Sequence, residues 1–152
     1  MGAAYFYHLT AAPLEQTLPM LIGKAQGAGW RVVVRGRDAA RIVWLDEKLW
    51  AGDPTSFLPH GIAGGDHDAD QPVLLRADTQ TVIDGCLMAV DGAEVTAGEV
   101  AACERVCILF DGLDGNALAR AREQWKALTD AGAPAQYWSQ EGGRWEMKAE
   151  KA

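Results

Sequence analysis

Few side chains in this 152-residue sequence have the types and spacing that acid–base or nucleophilic chemistry requires. The histidines are His8, His60 and His67, and no hydroxyl residue has a histidine and an acid in a recognisable arrangement. A Gly-x-Ser-x-Gly nucleophile elbow is absent from the sequence too. His60 follows Pro59 in a loop and could act as a base. Because it lacks a nucleophile or ligand partner, we expect it to make a hydrogen bond that fixes the loop.

Two groups of residues have side chains of the kind that bind metals. Cys86, Cys103 and Cys107 are odd in number and contain no Cys-x-x-Cys pair, so buried, reduced thiols are predicted. A shared helix face for Cys103 and Cys107 is not expected, because Val106–Phe110 is typical of a strand. Asp66–Asp70 carries alternating carboxylates that could ligate a hard cation, but without supporting glycine spacing it is typical of a solvated loop. We therefore predict no metal and no cofactor.

Glycine-containing turns could bring backbone N–H groups close to a phosphate. However, no Gly-x-Gly-x-x-Gly follows the first predicted strand, and no Gly-x-x-x-x-Gly-Lys-Ser/Thr occurs anywhere in the sequence. The candidates that remain are Gly36 and the turn Asp111–Gly115, whose two carboxylates would repel a phosphate. We therefore expect this segment to form a tight turn rather than a phosphate-binding loop. A small nucleotide- or phosphate-binding enzyme is the alternative interpretation of the chain.

Short apolar runs alternate with helical patterns along the chain. Strands are predicted at Ala3–Leu9, Arg31–Arg35, Pro72–Leu75, Thr81–Val90 and Val106–Phe110, with a terminal strand or hairpin at Gln136–Ser139 and Trp145–Met147. Helices are predicted after Pro13, at Ala39–Trp50, from Thr96 and at Asn116–Ala131. This alternation indicates one α/β domain over residues 1–152. We expect a mostly parallel, twisted sheet with helices on both faces, Rossmann-like but without a dinucleotide-binding fingerprint.

Single residues indicate where these helices begin, bend or end. Asp38 is the predicted N-cap of Ala39–Trp50, and Gly132 follows the last helix where a C-terminal glycine is expected. Pro19 lies inside the first helical pattern, so it is expected either to kink that helix or to mark a later start. Trp44 points away from the apolar stripe of its helix, so it is expected to be exposed or covered by a neighbour.

The formal net charge of −7 argues against direct binding of duplex DNA. The acidic excess is concentrated in residues 61–105, whereas the segments on either side are close to neutral and could carry a local basic patch. The N-terminus lacks the pattern of a secretory signal, and no apolar run has membrane-spanning length. We therefore expect a soluble, cytoplasmic protein.

The last predicted helix is amphipathic. At about 100° per residue, one apolar face is formed by Leu118, Ala121, Trp125 and Leu128. Arg122 and Lys126 lie along the border of this face, where long cationic side chains bury their stems and keep their charges in water. Arg120 points nearly opposite, toward solvent. Such borders are common on surface helices, so the pattern alone does not identify a binding site.

The stretch Leu45–Gly65 combines loop-forming residues with large apolar side chains. It allows neither a long helix nor a paired central strand because of Gly52, Pro54, Pro59, Gly61, Gly64 and Gly65. It also carries large apolar residues that ordinary surface loops lack, namely Trp50, Phe57, Leu58 and Ile62. These side chains therefore either pack into the domain's own core or contact a partner.

The same stretch resembles a known family. The segments Leu-Asp-x-x-Leu-Trp from Leu45, Ser-Phe-x-Pro-His from Ser56 and a nearby Ala-Gly are similar to the chi subunit of bacterial DNA polymerase III. The order of elements on both sides also fits, so the resemblance covers nearly the whole chain. It implies a non-catalytic accessory subunit of the clamp-loader complex in DNA replication. Members of the family join the psi subunit to the C-terminal tail of single-stranded-DNA-binding protein.

The resemblance assigns one binding surface to the last helix. Arg122, Trp125 and Lys126 match an Arg-x-x-aromatic-Lys segment that resembles the family's receptor for this acidic tail. The tail ends in aspartates, a proline and a phenylalanine with its free carboxylate. Two side chains of the following strand are expected to line the same pocket, Tyr137 and Trp138. Leu118 stands where some relatives carry a lysine, so a weaker cationic rim is expected here.

The resemblance assigns a second surface to the stretch Leu45–Gly65. It implies that Trp50 and Phe57 face the psi subunit and that Pro59 and His60 shape the loop. Aromatic anchors of this kind are typical of stable interfaces. A helicase is a further candidate partner for the same patch. The chain itself is expected to be no enzyme and to make no direct contact with DNA.

Overall fold

The computed structural model describes residues 2–10, 14–50, 61–62, 73–77, 84–141 and 144–151. These residues form eight strands and four helices. In chain order they are β1 (Ala4–Leu9), α1 (Leu14–Gly27), β2 (Val32–Arg35), α2 (Ala39–Trp50), β3 (Gly61–Ile62), β4 (Val73–Arg76), β5 (Cys86–Ala89), α3 (Ala97–Ala102), β6 (Arg105–Asp111), α4 (Gly115–Asp130), β7 (Ala135–Glu141) and β8 (Arg144–Lys151). None of the described helices combines the length and the apolar character that crossing a membrane requires.

All eight strands belong to one sheet in the order β3-β4-β2-β5-β6-β1-β7-β8. Every neighbouring pair is parallel except β7 and β8, which form an antiparallel hairpin. The central strands are covered on both faces, which explains why Val32, Val33 and Val34 are buried one after another. The predicted α/β fold with a mostly parallel sheet is confirmed.

Alternation along the strands divides the core into two layers. In β1, Tyr7 and Leu9 face the layer under α1 and α2, whereas Phe6 faces the layer under α3 and α4. The helices contribute their apolar stripes to these layers, Leu18, Ile22, Ile42 and Leu45 to the first and Val100, Ala121 and Leu128 to the second. Helices therefore cover both faces, as predicted.

Side chains satisfy backbone N–H groups at the starts of three helices. Asp38 Oδ1 accepts from the backbone N–H of Ala40 at 2.9 Å, as expected of the N-cap of α2. Thr96 forms a capping box with Glu99 at the start of α3. Asp114 caps α4 and accepts from Asn116 N at 2.9 Å, so α4 begins at Gly115, one residue before the predicted start.

Pro19 lies within α1, and the helix continues through it. A proline in a helix removes the hydrogen bond to the carbonyl four residues earlier. Here that carbonyl belongs to residue 15, in the first turn of a helix that begins at Leu14. One of the two predictions for Pro19, that it marks a later start of the helix, is therefore wrong.

A buried ion pair connects β2 to α3. Arg35 Nη2 lies 2.7 Å from Glu99 Oε2 and Arg35 Nη1 lies 2.9 Å from Glu99 Oε1, and both residues are 3% exposed. Arg35 Nη1 also donates to the backbone carbonyl of Glu94 at 2.9 Å. Such a fork-to-fork pair needs these additional hydrogen bonds to offset its desolvation. The periodicity of the sequence does not predict this pair.

The stretch Leu45–Gly65 is only partly described. Its first residues complete α2, and Gly61–Ile62 form β3, which pairs with β4 at one edge of the sheet. A two-residue edge strand agrees with the prediction that no central strand lies here. Residues 51–60 and 63–65 lie outside the described part of the chain, and so does the acidic segment 66–70.

Candidate functional site

The apolar face of α4 packs on aromatic side chains of the sheet below it. The Trp125 ring contacts Phe6 of β1 edge to face, with 5.3 Å between ring centroids. It contacts Tyr137 of β7 in the same way at 6.1 Å. Trp125 and Tyr137 are each half-buried. The structure therefore brings together two of the predicted site residues that are 12 positions apart in the sequence.

Two cations border this aromatic pair. Arg122 and Lys126 are exposed and lie one helical turn apart on α4. Burial raises the pKa of the Tyr137 hydroxyl, and the nearby positive charge of Arg122 opposes that rise. Within the described part of the chain, neither Arg122 nor Lys126 forms an ion pair. Their charges are therefore available to an anionic ligand.

The sequence patterns did not predict three residues that pack around this aromatic pair, namely Phe6, His8 and Phe110. His8 Nδ1 lies 2.7 Å from the Tyr137 hydroxyl, and the His8 ring is 5.3 Å from the Phe110 ring. Phe110 lies 5.9 Å from Tyr137. The alternation of Phe6 and His8 along β1 is the signal that could have indicated a shared face. We define the α4 surface as His8, Arg122, Trp125, Lys126 and Tyr137, with the buried rings of Phe6 and Phe110 beneath it.

Trp138 does not belong to the α4 surface, so the prediction that it lines the same pocket as Tyr137 is wrong. Successive side chains of a strand point to opposite faces of the sheet. Tyr137 packs on the layer under α4, whereas Trp138 packs on the layer under α1. The Trp138 indole N–H donates to Gln136 Oε1 at 3.0 Å.

Arg120 is exposed, as predicted, but it does not simply extend into solvent. A Cβ placed on Gly92 would lie 3.1 Å from Arg120 Cδ, so the Arg120 side chain lies against the connection between β5 and α3.

On α2, Trp44 is half-buried, and the Arg41 guanidinium carbon lies 4.3 Å from its ring centroid. Trp44 is therefore partly covered by a neighbour, one of the two predicted outcomes.

The structure describes only one of the four residues that are assigned to the second predicted surface. Trp50 is the last residue of α2, which packs against β3 and β4. Phe57, Pro59 and His60 lie outside the described residues. The α2 terminus is on the face of the sheet opposite α4, and β3 and β7 are separated by five strands. The assignment of these four residues to one interface remains a prediction.

The two turns considered for phosphate binding have other roles. Asp111 Oδ1 accepts from Leu113 N at 2.9 Å, and Asp114 is occupied by its cap of α4. A Cβ on Gly36 would lie 2.9 Å from Ile42 Cδ1, so the close approach at Gly36 is to α2.

Among the described residues there is no cluster of three or more His, Cys, Asp or Glu side chains that could hold a metal.

The three cysteines are buried and form no disulfide with one another, as predicted. Burial and the nearby Glu99 carboxylate raise the pKa of the Cys103 thiol to about 11. Cys86 Sγ and Cys107 Sγ lie 4.0 Å apart, and this contact together with burial raises the pKa of Cys107. Thiols with raised pKa values are poor nucleophiles at neutral pH. These residues therefore serve packing in the described structure.

Comparison with known protein families gives one match. Residues 1–136 match the family described as DNA polymerase III chi subunit, HolC. The match includes β1 to β6 and all four helices, whereas β8 and most of β7 follow it in the sequence. No curated protein matches the chain.

Proposed function

Because the chain belongs to the DNA polymerase III chi subunit family, we propose that it links the psi subunit to the C-terminal tail of single-stranded-DNA-binding protein. In this proposal the chain is a non-catalytic accessory subunit of the clamp-loader complex. One surface is the α4 surface, and the other contains Trp50, Phe57, Pro59 and His60. The link would hold the polymerase on template that is coated with single-stranded-DNA-binding protein.

One observation carries the proposal for the tail. The α4 surface places two cations without carboxylate partners in the described structure beside two half-buried rings, Trp125 and Tyr137. A guanidinium pairs well with a carboxylate because its N–H groups form a planar fork. The tail supplies such a carboxylate on a terminal phenylalanine, and burying that ring stabilises the complex by roughly 1.5–3 kcal/mol.

The charges of the tail suit the border of α4 as well. Arg122 and Lys126 are exposed, so their attraction to the aspartates of the tail acts mainly on the association rate and weakens with salt. The rings supply most of the remaining affinity. A modest affinity agrees with a contact that is exchanged during replication.

Arg122→Ala tests this assignment. We expect a peptide Asp-Asp-Asp-Pro-Phe with a free carboxylate to bind the variant about tenfold or more weakly, because a hydrogen bond to a charged group is lost. The melting temperature should change little because Arg122 is exposed. Isothermal titration calorimetry measures the affinity, and differential scanning calorimetry the stability.

Arg120→Ala is the matched control, since Arg120 lies on the same helix, is exposed and leans away toward Gly92. It should bind the peptide like the wild type. A peptide with an amidated C-terminus should lose the same interaction as Arg122→Ala does, so the two changes together should cost little more than either alone. Unaltered affinity of Arg122→Ala for the free-carboxylate peptide would show that the tail binds elsewhere.

A further inference from the structure

A hollow lies on the face of the sheet opposite α4, between α1 and the β7–β8 hairpin. Its volume is about 170 Å³, and its walls include five aromatic residues, Tyr5, Tyr7, Trp30, Trp138 and Trp145. The Trp145 ring meets the Tyr7 ring edge to face at 5.3 Å. A cavity of about 150 Å³ holds one benzene molecule. We call this hollow the hairpin pocket, and its size suits a single six-membered ring.

A guanidinium lines the same pocket. The Arg105 guanidinium carbon lies 4.3 Å from the Tyr5 ring centroid and 5.1 Å from that of Trp30. Stacking of this kind engages the faces of the guanidinium and leaves its N–H groups free in their plane. Among the residues that the structure describes, neither Arg105 nor Lys24, the other cation of the lining, has a carboxylate partner.

The described residues that line the hairpin pocket include these two cations and no acidic side chain. A positive potential beside an aromatic wall favours a ligand that joins a ring to a negative charge. The α4 surface lies on the opposite face of the sheet, and no described residue of α4 lines this pocket. The hairpin pocket is therefore separate from the α4 surface.

Part of the pocket comes from a segment outside the family match. Trp138 and Trp145 follow residue 136, where that match ends. Without β7 and β8 the wall opposite α1 would be missing. The hairpin pocket is thus built partly by residues that follow the family match.

Exposed methionines extend the apolar surface beyond the pocket. Met20 of α1 lines the pocket and is 42% exposed, and Met147 of β8 is 47% exposed. Met147 is paired with Trp138 across the hairpin and therefore lies on the same face. Methionine side chains adapt to partners of different shape. A free single-ring compound would leave this additional surface uncovered, whereas a polypeptide segment would cover it.

We propose that the hairpin pocket binds a segment of a partner protein through an aromatic side chain that has a carboxylate beside it. The ring enters between Trp30 and Trp145, and the carboxylate accepts hydrogen bonds from the edge of the Arg105 guanidinium. Met20 and Met147 contact the residues on either side of the anchor.

The test uses the full chain and the peptide Gly-Ser-Phe-Asp-Ser-Gly, acetylated and amidated so that it has no terminal charges. Nuclear magnetic resonance follows the indole N–H signals of Trp30, Trp138 and Trp145. We expect saturable shifts of these signals at millimolar peptide. Replacing phenylalanine by alanine in the peptide should abolish the shifts, and replacing aspartate by asparagine should weaken binding about fivefold.

Arg105→Met keeps an unbranched stem against Tyr5 and Trp30 while it removes the charge. It should bind the aspartate peptide about fivefold more weakly than wild type and should no longer distinguish it from the asparagine peptide. Should Arg105→Met prove unstable, Lys24→Met, on the exposed side of α1, should show the same loss of discrimination to a smaller extent. Arg122→Ala is the control at the other face and should leave the shifts unchanged.

Several results would overturn the proposal. One is the absence of shifts with the aspartate peptide, and another is their loss in Arg122→Ala but not in Arg105→Met. Equal affinity for phenylacetate would indicate a small-molecule site, and shifts that follow protein concentration without peptide would indicate a second copy of the chain. Because the tail peptide is measured separately on Arg122→Ala, failure here does not decide the proposed function.

Discussion

Tyr137 combines two roles through two parts of its side chain. Its hydroxyl is hydrogen-bonded to His8 Nδ1 at 2.7 Å, and its ring packs between Phe110 and Trp125. The hydrogen bond holds the ring in one orientation, because leaving a half-buried hydroxyl and imidazole without this hydrogen bond costs free energy. The face that the ring presents beside Arg122 thus depends on a residue of β1.

Tyr137→Phe separates these roles. We expect it to lower the free energy of unfolding by about 1 kcal/mol, since it leaves His8 without this partner. Affinity for the tail peptide should stay within about twofold of wild type because the ring is retained. Urea unfolding and calorimetry measure the two quantities. In Tyr137→Ala, which removes the ring as well, affinity should fall, and equal tail affinity of both variants would exclude the ring from the binding surface.

The buried pair of Arg35 and Glu99 predicts a large effect on stability. Glu99→Ala leaves the guanidinium buried without its carboxylate and also removes half of the capping box of α3. We expect the free energy of unfolding to fall by about 3–5 kcal/mol, as is typical when one partner of a buried pair is removed. Urea denaturation followed by circular dichroism measures it.

Glu94→Ala is the control for this prediction. Glu94 is exposed and contacts Arg35 only through its backbone carbonyl, which alanine retains. Its stability should remain within about 0.5 kcal/mol of wild type. If Glu99→Ala were as stable as Glu94→Ala, the ion pair would contribute nothing to the fold.

At the scale of elements, α4 is positioned by its apolar face and started by a cap. Ala121 and Leu128 are buried against the sheet, and Asp114 accepts hydrogen bonds from the first turn. The apolar face fixes where the helix lies, whereas the cap contributes to how stable its first turn is. The two contributions are therefore separable by mutation.

Asp114→Ala should lower the free energy of unfolding by about 1 kcal/mol through the loss of the N-cap. Tail affinity should be unchanged, because Arg122 and Trp125 lie about two and three turns further along α4. Asp130→Ala removes the same side chain at the opposite end of the helix, where a negative charge opposes the helix dipole, so it should be neutral or slightly stabilising. Thermal unfolding would contradict this account if both variants lost equal stability.

The sequence predicted most elements correctly but not all of the α4 surface. The Leu118–Leu128 stripe, the Asp38 cap and the strand Val106–Phe110 depend on neighbours in the chain, so their patterns are visible there. His8 was not assigned to the surface because its partner Tyr137 lies 129 residues away. The prediction that Trp138 lines the same pocket as Tyr137 is wrong because successive residues of a strand point to opposite faces of the sheet. Only the packing of β7 decides which of the two faces α4.

For the whole molecule, the sheet separates the described end of α2 from the α4 surface. The terminus of α2 lies near β3 and β4 at one edge, and α4 packs on β6 and β7 toward the other. A rigid sheet between two sites transmits little unless an element has two arrangements that both ligands influence. Loss of one surface should therefore leave the other intact.

Phe57→Ala tests this independence. It should weaken association with the psi subunit, because an aromatic anchor is lost, and spare the affinity for the tail peptide. Arg122→Ala should show the reverse pattern. Surface plasmon resonance with psi and calorimetry with the peptide measure both. Equal loss of both affinities in Phe57→Ala would mean that Phe57 belongs to the core.

The sequence by itself determined the amphipathic face of the last helix, the family, and the order along the chain of the described helices and of every described strand except β3. Each of these rests on residues close together in the chain. Only the tertiary structure decided which strands are neighbours. It thereby placed His8 beside Tyr137, buried Arg35 with Glu99 and assembled the hairpin pocket around Arg105. These contacts join residues that are far apart in sequence, and the order of strands in a sheet follows from packing of the whole core rather than from any local pattern.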